Sequence, residues 1–298
     1  MKFRILGKTN VEISEIGFGC MSLGKNPRAE SIAIIHQAID AGMNYFDTAD
    51  IYDNGANEEL VGKALAEHRK KIILATKVGN VIKPGGGKGF GWNPSKEHIL
   101  KSVEGSLKRL QTDYIDLYQL HGGTIDDPID ESIEAFEILK QQGKILHYGI
   151  SSIRPNVIRE YVKRSDIVSV MLQYSLLDRR PEESILQLLK QNNISIMARG
   201  ALAQGLLADK PAKDYLTHSA EKVKEAKALL TNISGAVENN ASAAIDFVLK
   251  NDAVTSAVIG FRTSKQLEAA IRSTFSLTGD ALETLRASAA AGKYEEHR

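Results

Sequence analysis

Short apolar runs rich in Val and Ile recur along the chain at 16–18, 44–46, 72–76, 115–120, 146–150, 168–172, 194–198 and 257–259. Runs this short, bounded by polar segments, read as buried strands. The stretches between them follow a helical period instead. Ile32, Ile35, Ala38 and Ile39, for example, fall at three- and four-residue spacing and share one helix face. The same reasoning predicts helices over 29–41, 58–68, 94–110, 129–142, 154–164, 181–192, 220–230 with 241–250, and 264–274. Strands alternating with helices argue for βαβ units and a parallel sheet. Eight such units predict an α/β fold closed into a (β/α)8 TIM barrel. No linker or low-complexity run divides the chain, so one domain over 1–298 is expected.

The open-sheet alternative needs G-x-G-x-x-G after its first strand, and no such run is present. The Gly-rich stretch 85–91 has the wrong spacing and follows Lys83-Pro84 rather than a strand. The run GCMSLGK at 19–25 approximates a phosphate loop but continues with Asn26 and Pro27. Asn has no hydroxyl for Mg²⁺, so this reads as a chance match. Two pieces lie outside the eight repeats. Segments 3–5 and 11–14, joined by Gly7-Lys8-Thr9-Asn10, predict a β-hairpin that plugs the barrel bottom. Segment 280–291 predicts a final helix packed outside. The stretch 209–240 is the least regular, and long irregular stretches are often mobile loops or lids.

Composition narrows the function. Hydrophobic residues are 43% and charged residues 25%, the range of ordinary globular chains. Lys plus Arg total 38 against 37 Asp plus Glu, a net charge of +1. Without a basic excess or stripe, no nucleic-acid partner is expected. The single cysteine, Cys20, excludes an internal disulfide and a Cys-rich zinc module, and fits a reducing cytoplasm. Residues 1–7 lack a signal-peptide core, and no apolar run approaches the ~18 residues of a membrane span. A cytoplasmic monomer with no membrane partner is expected.

Active sites of such barrels lie at the C-terminal ends of the strands. After the second strand comes Asp47-Thr48-Ala49-Asp50-Ile51-Tyr52, Lys77 ends the third, and His121 ends the fourth. A lone strand-end Asp is often a cap, and a lone Tyr, Lys or His there is often packing or solvated. An acid, a phenol, an amine and an imidazole at three consecutive strand ends make a coherent catalytic set.

At these residues the chain resembles the aldo-keto reductase family. The markers are Gly17-Phe18-Gly19, Asp47-Thr48-Ala49-x-x-Tyr52-x-x-Gly55 with Asn57-Glu58, the Lys77 strand, and Asp113-Tyr114-Ile115-Asp116-Leu117-Tyr118-Gln119-Leu120-His121. Tyr148-Gly149-Ile150-Ser151, Gln204-Gly205-Leu206-Leu207 and the segment 260–266 follow. His121-Gly122-Gly123-Thr124 is similar to a bacterial subgroup. The resemblance implies NADPH-dependent reduction of aldehydes or ketones to alcohols. Free tyrosine ionises near pH ~10. Lys77, held by Asp47, is expected to lower the Tyr52 pKa and make it a better proton donor. His121 is expected to orient the carbonyl as a neutral imidazole. Asp50 is expected to be a polar loop residue.

The resemblance also places cofactor contacts at Met21, Ser151, Ser152, Gln173, Arg199, Gly200, Leu202, Gln204, Gly205, Lys210, Gly260, Arg262 and Gln266. Arg262 matches an adenosine 2′-phosphate contact and favours NADPH over NADH. Lys210 matches a position near the pyrophosphate. Thr263-x-x-Gln266 also reads as a capping box, which is compatible because a helix N-terminus favours phosphate. The chain departs from the family pattern at several of these positions. Ala269-Ala270 stand where Glu-Asn usually contact the adenine, and Ser152 stands for a common Asn. Met171 stands for the Gln that holds the carboxamide, with Gln173 two residues on and facing the same side. Arg199 replaces the aromatic under the nicotinamide; a guanidinium can stack there and would disfavour the cationic oxidised ring, or else pair with a carboxylate. Gly122-Gly123 leave one wall of the pocket open, and Phe90 and Trp92 are placed to cover a substrate from a loop that Gly85–Gly87 make mobile.

Two other readings remain open at this point. One is an NADPH-binding sensor with little turnover. The other is a metal-dependent barrel hydrolase, although the seven histidines, His36, His68, His98, His121, His147, His218 and His297, show no metal-ligand pairing and no metal is expected.

Overall fold

The computed structural model describes residues 1–83, 89–271 and 276–298. Eight parallel strands close into a barrel: β3 (Ile16–Gly19), β4 (Tyr45–Asp47), β5 (Ile73–Val78), β8 (Ile115–Leu120), β9 (Ile145–Ser151), β10 (Ser169–Gln173), β11 (Ser195–Arg199) and β12 (Val254–Ile259). Neighbours follow chain order around the ring, and β12 closes on β3 through Ala257↔Ile16 and Val258↔Gly17. All eight segments read from the apolar runs are therefore barrel strands.

Strand alternation separates two cores. Tyr45, Ala75, Leu117, Met171, Met197 and Val258 face inward and pack together with Leu6 and Ile13. Those last two flank and belong to the hairpin of β1 (Phe3–Ile5) and β2 (Glu12–Ser14), so the hairpin closes the lower end of the barrel as expected. Its Gly7 N–H donates to Ser195 Oγ at 2.7 Å and fastens it to β11. Residues of opposite parity, among them Phe18, Phe46, Leu74, Tyr118, Ile150 and Leu172, pack outward against the helices.

The helical layer comprises α1 (Arg28–Asp40), α2 (Ala56–Leu65), α3 (Lys96–Leu110), α4 (Ile129–Gln141), α5 (Pro155–Arg164), α6 (Ile185–Gln191), α7 (Ala220–Ser234), α8 (Asn240–Leu249), α9 (Ser264–Ile271) and α10 (Gly279–Ser288). Helix α3 shows the local logic. Ser95 caps its start by accepting from His98 N–H, Ile99, Val103, Ser106 and Leu110 form its buried stripe, and Gln111 ends it at φ +55°.

Three segments differ from expectation. The Gly-rich stretch is flanked by a small antiparallel pair, β6 (Asn80–Ile82) and β7 (Phe90–Trp92), in which Asn80 faces Trp92. Each arm has only three residues, too few to display a period. The mobility expected of Gly85–Gly87 lies outside the described residues. The single helix read over 181–192 is a 3-10 turn at Arg180–Glu183 followed by α6, with Ser184 between them. Asp178 and Glu182 pair with Arg180 and Arg179 and hold that turn separately. Much of 209–240 is helical: α7 runs to Ser234, is capped by Ser219, and stops at Gly235 (φ +80°). The predicted 264–274 helix is seen as α9, its last three residues lying outside the described ones.

Gly62 of α2 lies against the end of α3, where an added Cβ would sit 2.4 Å from the Leu110 carbonyl oxygen. Backbone cannot yield as a flexible side chain does. Gly62→Ala is expected to destabilise the protein by about 1–3 kcal/mol, read as a lower denaturation midpoint. An unchanged midpoint would mean that α2 and α3 separate without cost.

Candidate active site

Asp47, Lys77 and Gln119 occupy the inward layer above Tyr45, Ala75 and Leu117 on β4, β5 and β8, and His121 follows β8. Lys77 Nζ donates to Asp47 Oδ2 at 2.6 Å and to the Thr48 carbonyl at 2.7 Å. The Lys77 side chain is only 1% exposed. The other Asp47 oxygen accepts from Gln119 Nε2 at 3.2 Å. One carboxylate thus ties three adjacent strand ends together.

Tyr52 begins a tight turn, Tyr52–Gly55, separated from the end of β4 by four residues. Asp53, Asn54 and Gly55 all have left-handed backbone, φ +49°, +54° and +91°, a conformation that Asp, Asn and Gly tolerate better than other residues. Asn57 fixes the turn from below. It accepts from Thr48 Oγ1 at 2.7 Å and donates to the Cys20 carbonyl at 3.0 Å. The Tyr52 ring then stands between two partners, with Lys77 Nζ 5.4 Å from its centroid and the His121 ring edge-to-face at 5.8 Å and 81°. The four residues read from the strand ends are brought together.

Burial is the largest influence on every ionisable group here. It raises Tyr52, Lys77 and Arg199 pull it down, Asp47 pushes it up, and the net direction is upward. Lys77 acts with the expected sign, but burial outweighs it. This corrects the expectation of a net lowering. Burial alone would lower Lys77, but Asp47 and Tyr52 turn its net shift upward, so its ammonium keeps its proton at neutral pH. His121 is pushed down to about 3 by burial and by the charges of Lys77 and Arg199, so its imidazole is neutral. Its Nδ1 is fully covered and has no partner among the described residues. Asp50 also departs from expectation: its Oδ1 is covered, and burial with the nearby Glu58 charge raises its carboxyl to about 7.

Trp92 lies against Gly122, the residue after His121. Its indole N–H donates to both Asp127 oxygens at 3.0 Å. Asp127 also accepts from Thr124 N–H at 2.7 Å and Thr124 Oγ1 at 2.8 Å. A Cβ on Gly122 would come within 3.3 Å of the Trp92 ring, and one on Gly79 within 2.6 Å. The indole therefore covers ground that the two glycines leave bare.

The residues matched to cofactor contacts follow β9, β10, β11, β12 and β3, an unbroken arc next to the β4–β5–β8 arc of the catalytic candidates. Ser151 and Ser152 end β9, Gln173 ends β10, and Arg199 ends β11. Gly200, Leu202, Gln204 and Gly205 follow, with Gly200, Gln204 and Gly205 at positive φ. Lys210 Nζ donates to the Gln204 carbonyl at 2.7 Å. Gly260 follows β12, where a Cβ would lie 2.6 Å from Ser22 Oγ. Met21 is exposed after β3. Arg262 is exposed before α9, and Thr263 and Gln266 cap that helix: Thr263 Oγ1 accepts from Gln266 N–H, while Gln266 Oε1 accepts from Arg262 N–H at 2.9 Å. Three exposed cations, Arg199, Lys210 and Arg262, and the N-terminus of α9 on one arc suit an anionic dinucleotide.

Two matches acquire new partners. Arg199 donates to Gln173 Oε1 at 3.1 Å, an amide rather than the carboxylate considered above, and Gln173 Nε2 donates to Tyr215 OH at 3.0 Å. Met171 is buried in the barrel interior. Ala270 faces the core of α9, leaving Ala269 as the more open of that pair. Sequence reasoning missed the supporting roles of Gln119 and Tyr215. Gln119 had a readable signal, since it alternates with Leu117 and His121. Tyr215 had none, coming from a distant loop. Asp116, within the quoted motif, pairs instead with Arg69 at 2.7 Å and accepts from Leu74 N–H, away from the site. Among the described residues no three His, Cys, Asp or Glu side chains are grouped to hold a metal ion, and no helix is long and apolar enough to cross a membrane.

Residues 15–290 match the model of the aldo/keto reductase family. The chain is 47% identical over the full length of both proteins to the uncharacterized oxidoreductase YqkF of Bacillus subtilis. It superposes on the holo form of aldo-keto reductase AKR11C1 from Bacillus halodurans with a TM-score of 0.93 at 48% identity, covering 100% of this chain and 99% of that one. It is also 32% identical to the NADH-specific methylglyoxal reductase of Escherichia coli, over 75% of this chain and 74% of that protein.

The depressed His121 pKa has a consequence for stability. A histidine whose folded pKa lies below its unfolded value contributes stability that is complete above about pH 6.5 and is lost as pH falls toward its folded pKa. Between pH 6.5 and 4 the loss is expected to reach about 2–3 kcal/mol. In His121→Gln the slope of Tm against pH over that window should be shallower than in wild type. Parallel curves would mean that His121 is not held neutral.

Proposed function

This chain belongs to the aldo/keto reductase family, and from that premise we infer that it is an NADPH-dependent oxidoreductase reducing aldehydes or small ketones to alcohols. The observation that carries the reading is the meeting of Tyr52, His121 and the buried Lys77–Asp47 pair at three neighbouring strand ends. A bound nicotinamide dinucleotide supplies the hydride in this chemistry.

The protein's own residues handle the proton and the orientation. Tyr52 Oη holds a proton at neutral pH and gives it to the carbonyl oxygen as negative charge develops there. Lys77 stabilises the phenolate left behind, which burial alone would disfavour. Asp47 keeps the ammonium in place and charged, and Gln119 keeps Asp47 in place. Neutral His121 positions the carbonyl by hydrogen bonding; a charged imidazole would require a far lower pH. Arg199 and Gln173 hold each other at the mouth and face the nicotinamide end of the cofactor arc. The guanidinium there disfavours a cationic oxidised ring relative to the neutral reduced one. Lys210 and Arg262 meet the phosphates, and Arg262 supports NADPH over NADH. The wall expected to be open at Gly122 and Gly123 is instead covered, by the Trp92 ring against Gly122 and by Val157 against Gly123. The active unit proposed here is a monomer.

Wild type is expected to consume NADPH with a reactive aromatic aldehyde, and Tyr52→Phe to lose roughly 10²–10⁴-fold in kcat. Undiminished turnover in Tyr52→Phe would remove Tyr52 as donor. Arg262→Ala should weaken NADPH roughly tenfold or more, as expected for loss of a hydrogen bond to a charged group, and leave NADH unaffected. Equal losses with both cofactors would point away from the 2′-phosphate.

A further inference from the structure

We propose that Asp50 holds a proton on the acid side of neutrality and that its ionisation, acting through the Tyr52 turn, sets the alkaline limit of carbonyl reduction. The proposal rests on the reductase reading above and adds a positioning residue to it.

Behind the Tyr52 turn lies a buried polar cluster that the proposed chemistry does not use. Glu58 of α2 is fully covered, its side chain 0% exposed. One of its oxygens accepts from Thr76 Oγ1 at 2.6 Å, and the other accepts from Arg109 Nε at 2.7 Å. Arg109 of α3 also reaches Ser106 Oγ. The guanidinium is therefore committed to Glu58 and balances a single carboxylate. Asp50 is the second carboxyl of the cluster. Its Oδ1 is covered and has no hydrogen-bond partner among the described residues, and the Tyr118 hydroxyl of β8 is covered and unpartnered too. The charge of Lys77 on β5 also favours ionised Asp50, but its ammonium is already held by Asp47 and the Thr48 carbonyl. Glu58, Arg109, Lys77 and Tyr118 are thus the charged and titratable groups around Asp50. With one anion too many, a buried ionised Asp50 is under-compensated: Arg109, the Ile51 N–H and Lys77 favour it, but burial and Glu58 outweigh them. The neutral acid removes that charge and supplies a donor. Burial and Glu58 raise the carboxyl accordingly, to about 7. Asp50 is only partly buried as a residue, so its proton exchanges with solvent.

The cluster is mechanically joined to Tyr52. Asp50 N–H donates to the Lys77 carbonyl at 3.3 Å, and Tyr52 N–H donates to the Ala49 carbonyl at 3.1 Å, so Asp50 sits inside the turn that presents the phenol. At the far end of the turn, the Arg109 side chain covers Gly55, where a Cβ would fall 2.8 Å from Arg109 Cδ. Ionised Asp50 competes with Glu58 for Arg109 and repels Glu58. Both effects loosen the support of the turn and move Tyr52 away from Lys77.

The test is the pH profile of kcat/KM for NADPH-driven aldehyde reduction in wild type and Asp50→Asn, paired with an infrared titration of both proteins. Asn imitates the neutral acid but cannot ionise. Wild type should lose up to tenfold per pH unit above neutrality, the slope of one ionisation. In Asp50→Asn that limb should move to above about pH 10, where free tyrosine ionises and above which Tyr52 is held. The infrared difference spectrum of wild type between pH 6 and pH 8 should show a protonated-carboxyl band that Asp50→Asn lacks; in wild type alone, absence of any such band overturns the proposal without need of a folded variant. An alkaline limb unchanged in Asp50→Asn overturns the coupling to Tyr52. If wild type reduces no aldehyde at any pH, the reductase reading fails together with the kinetic half of the proposal. The infrared band then decides alone whether Asp50 holds the proton.

Discussion

A lysine ammonium sealed inside a barrel is the constraint on which this site depends. Removing such a charge from water costs several kcal/mol unless a partner of opposite charge and good geometry offsets it. Asp47 supplies the charge at 2.6 Å, the Thr48 carbonyl a second acceptor at 2.7 Å, and Gln119 steadies the carboxylate from a third strand. These partners come from β4, the loop after it, and β8, while the lysine comes from β5. The ion pair thereby fixes the spacing of three strand ends. The Tyr52 turn leaves from one of those ends and His121 from another, so the relative placement of phenol and imidazole is inherited from the buried pair.

The barrel divides its mouth by arcs. Strands β4, β5 and β8 carry the residues assigned to proton handling, and β9 through β12 with β3 carry those matched to the cofactor. The two arcs differ in character. The first is desolvated: burial is the largest single influence on each ionisation in it, and at Lys77 the neighbouring Asp47 and Tyr52 together outweigh it. The second presents Arg199, Lys210 and Arg262 at the surface, where their charges attract anions without the cost of burial. Arg199, on the middle strand of the second arc, acts across the mouth, and its charge is felt by Asp47, Tyr52 and His121.

Much of this was legible in the sequence because it rests on period and spacing. Eight apolar runs marked eight strands, and Lys77 and His121 were identifiable because they sit where those runs end. The sign of Lys77's pull on Tyr52 follows from elementary electrostatics. The net direction does not, because it depends on how deeply the phenol is buried, a property of the folded chain. Asp50 was misjudged for the same reason. A carboxyl three residues after Asp47 looks like loop polarity until Glu58 and Arg109, from two separate helices, are seen to close around it. The β6–β7 pair escaped because neither arm is long enough to show alternation. The break at Ser184 escaped because ion pairs from flanking arginines, rather than local propensity, decide it.

The seat of Trp92 has an optical consequence. The chain contains one tryptophan, and it rests on Gly79 and on Gly122, the residue after His121, hydrogen-bonded to Asp127. Near-ultraviolet emission from this protein therefore originates almost entirely at the mouth of the barrel. Its wavelength and quenching report solvent access and occupancy at that one place, with no label added and no competing indole elsewhere in the fold.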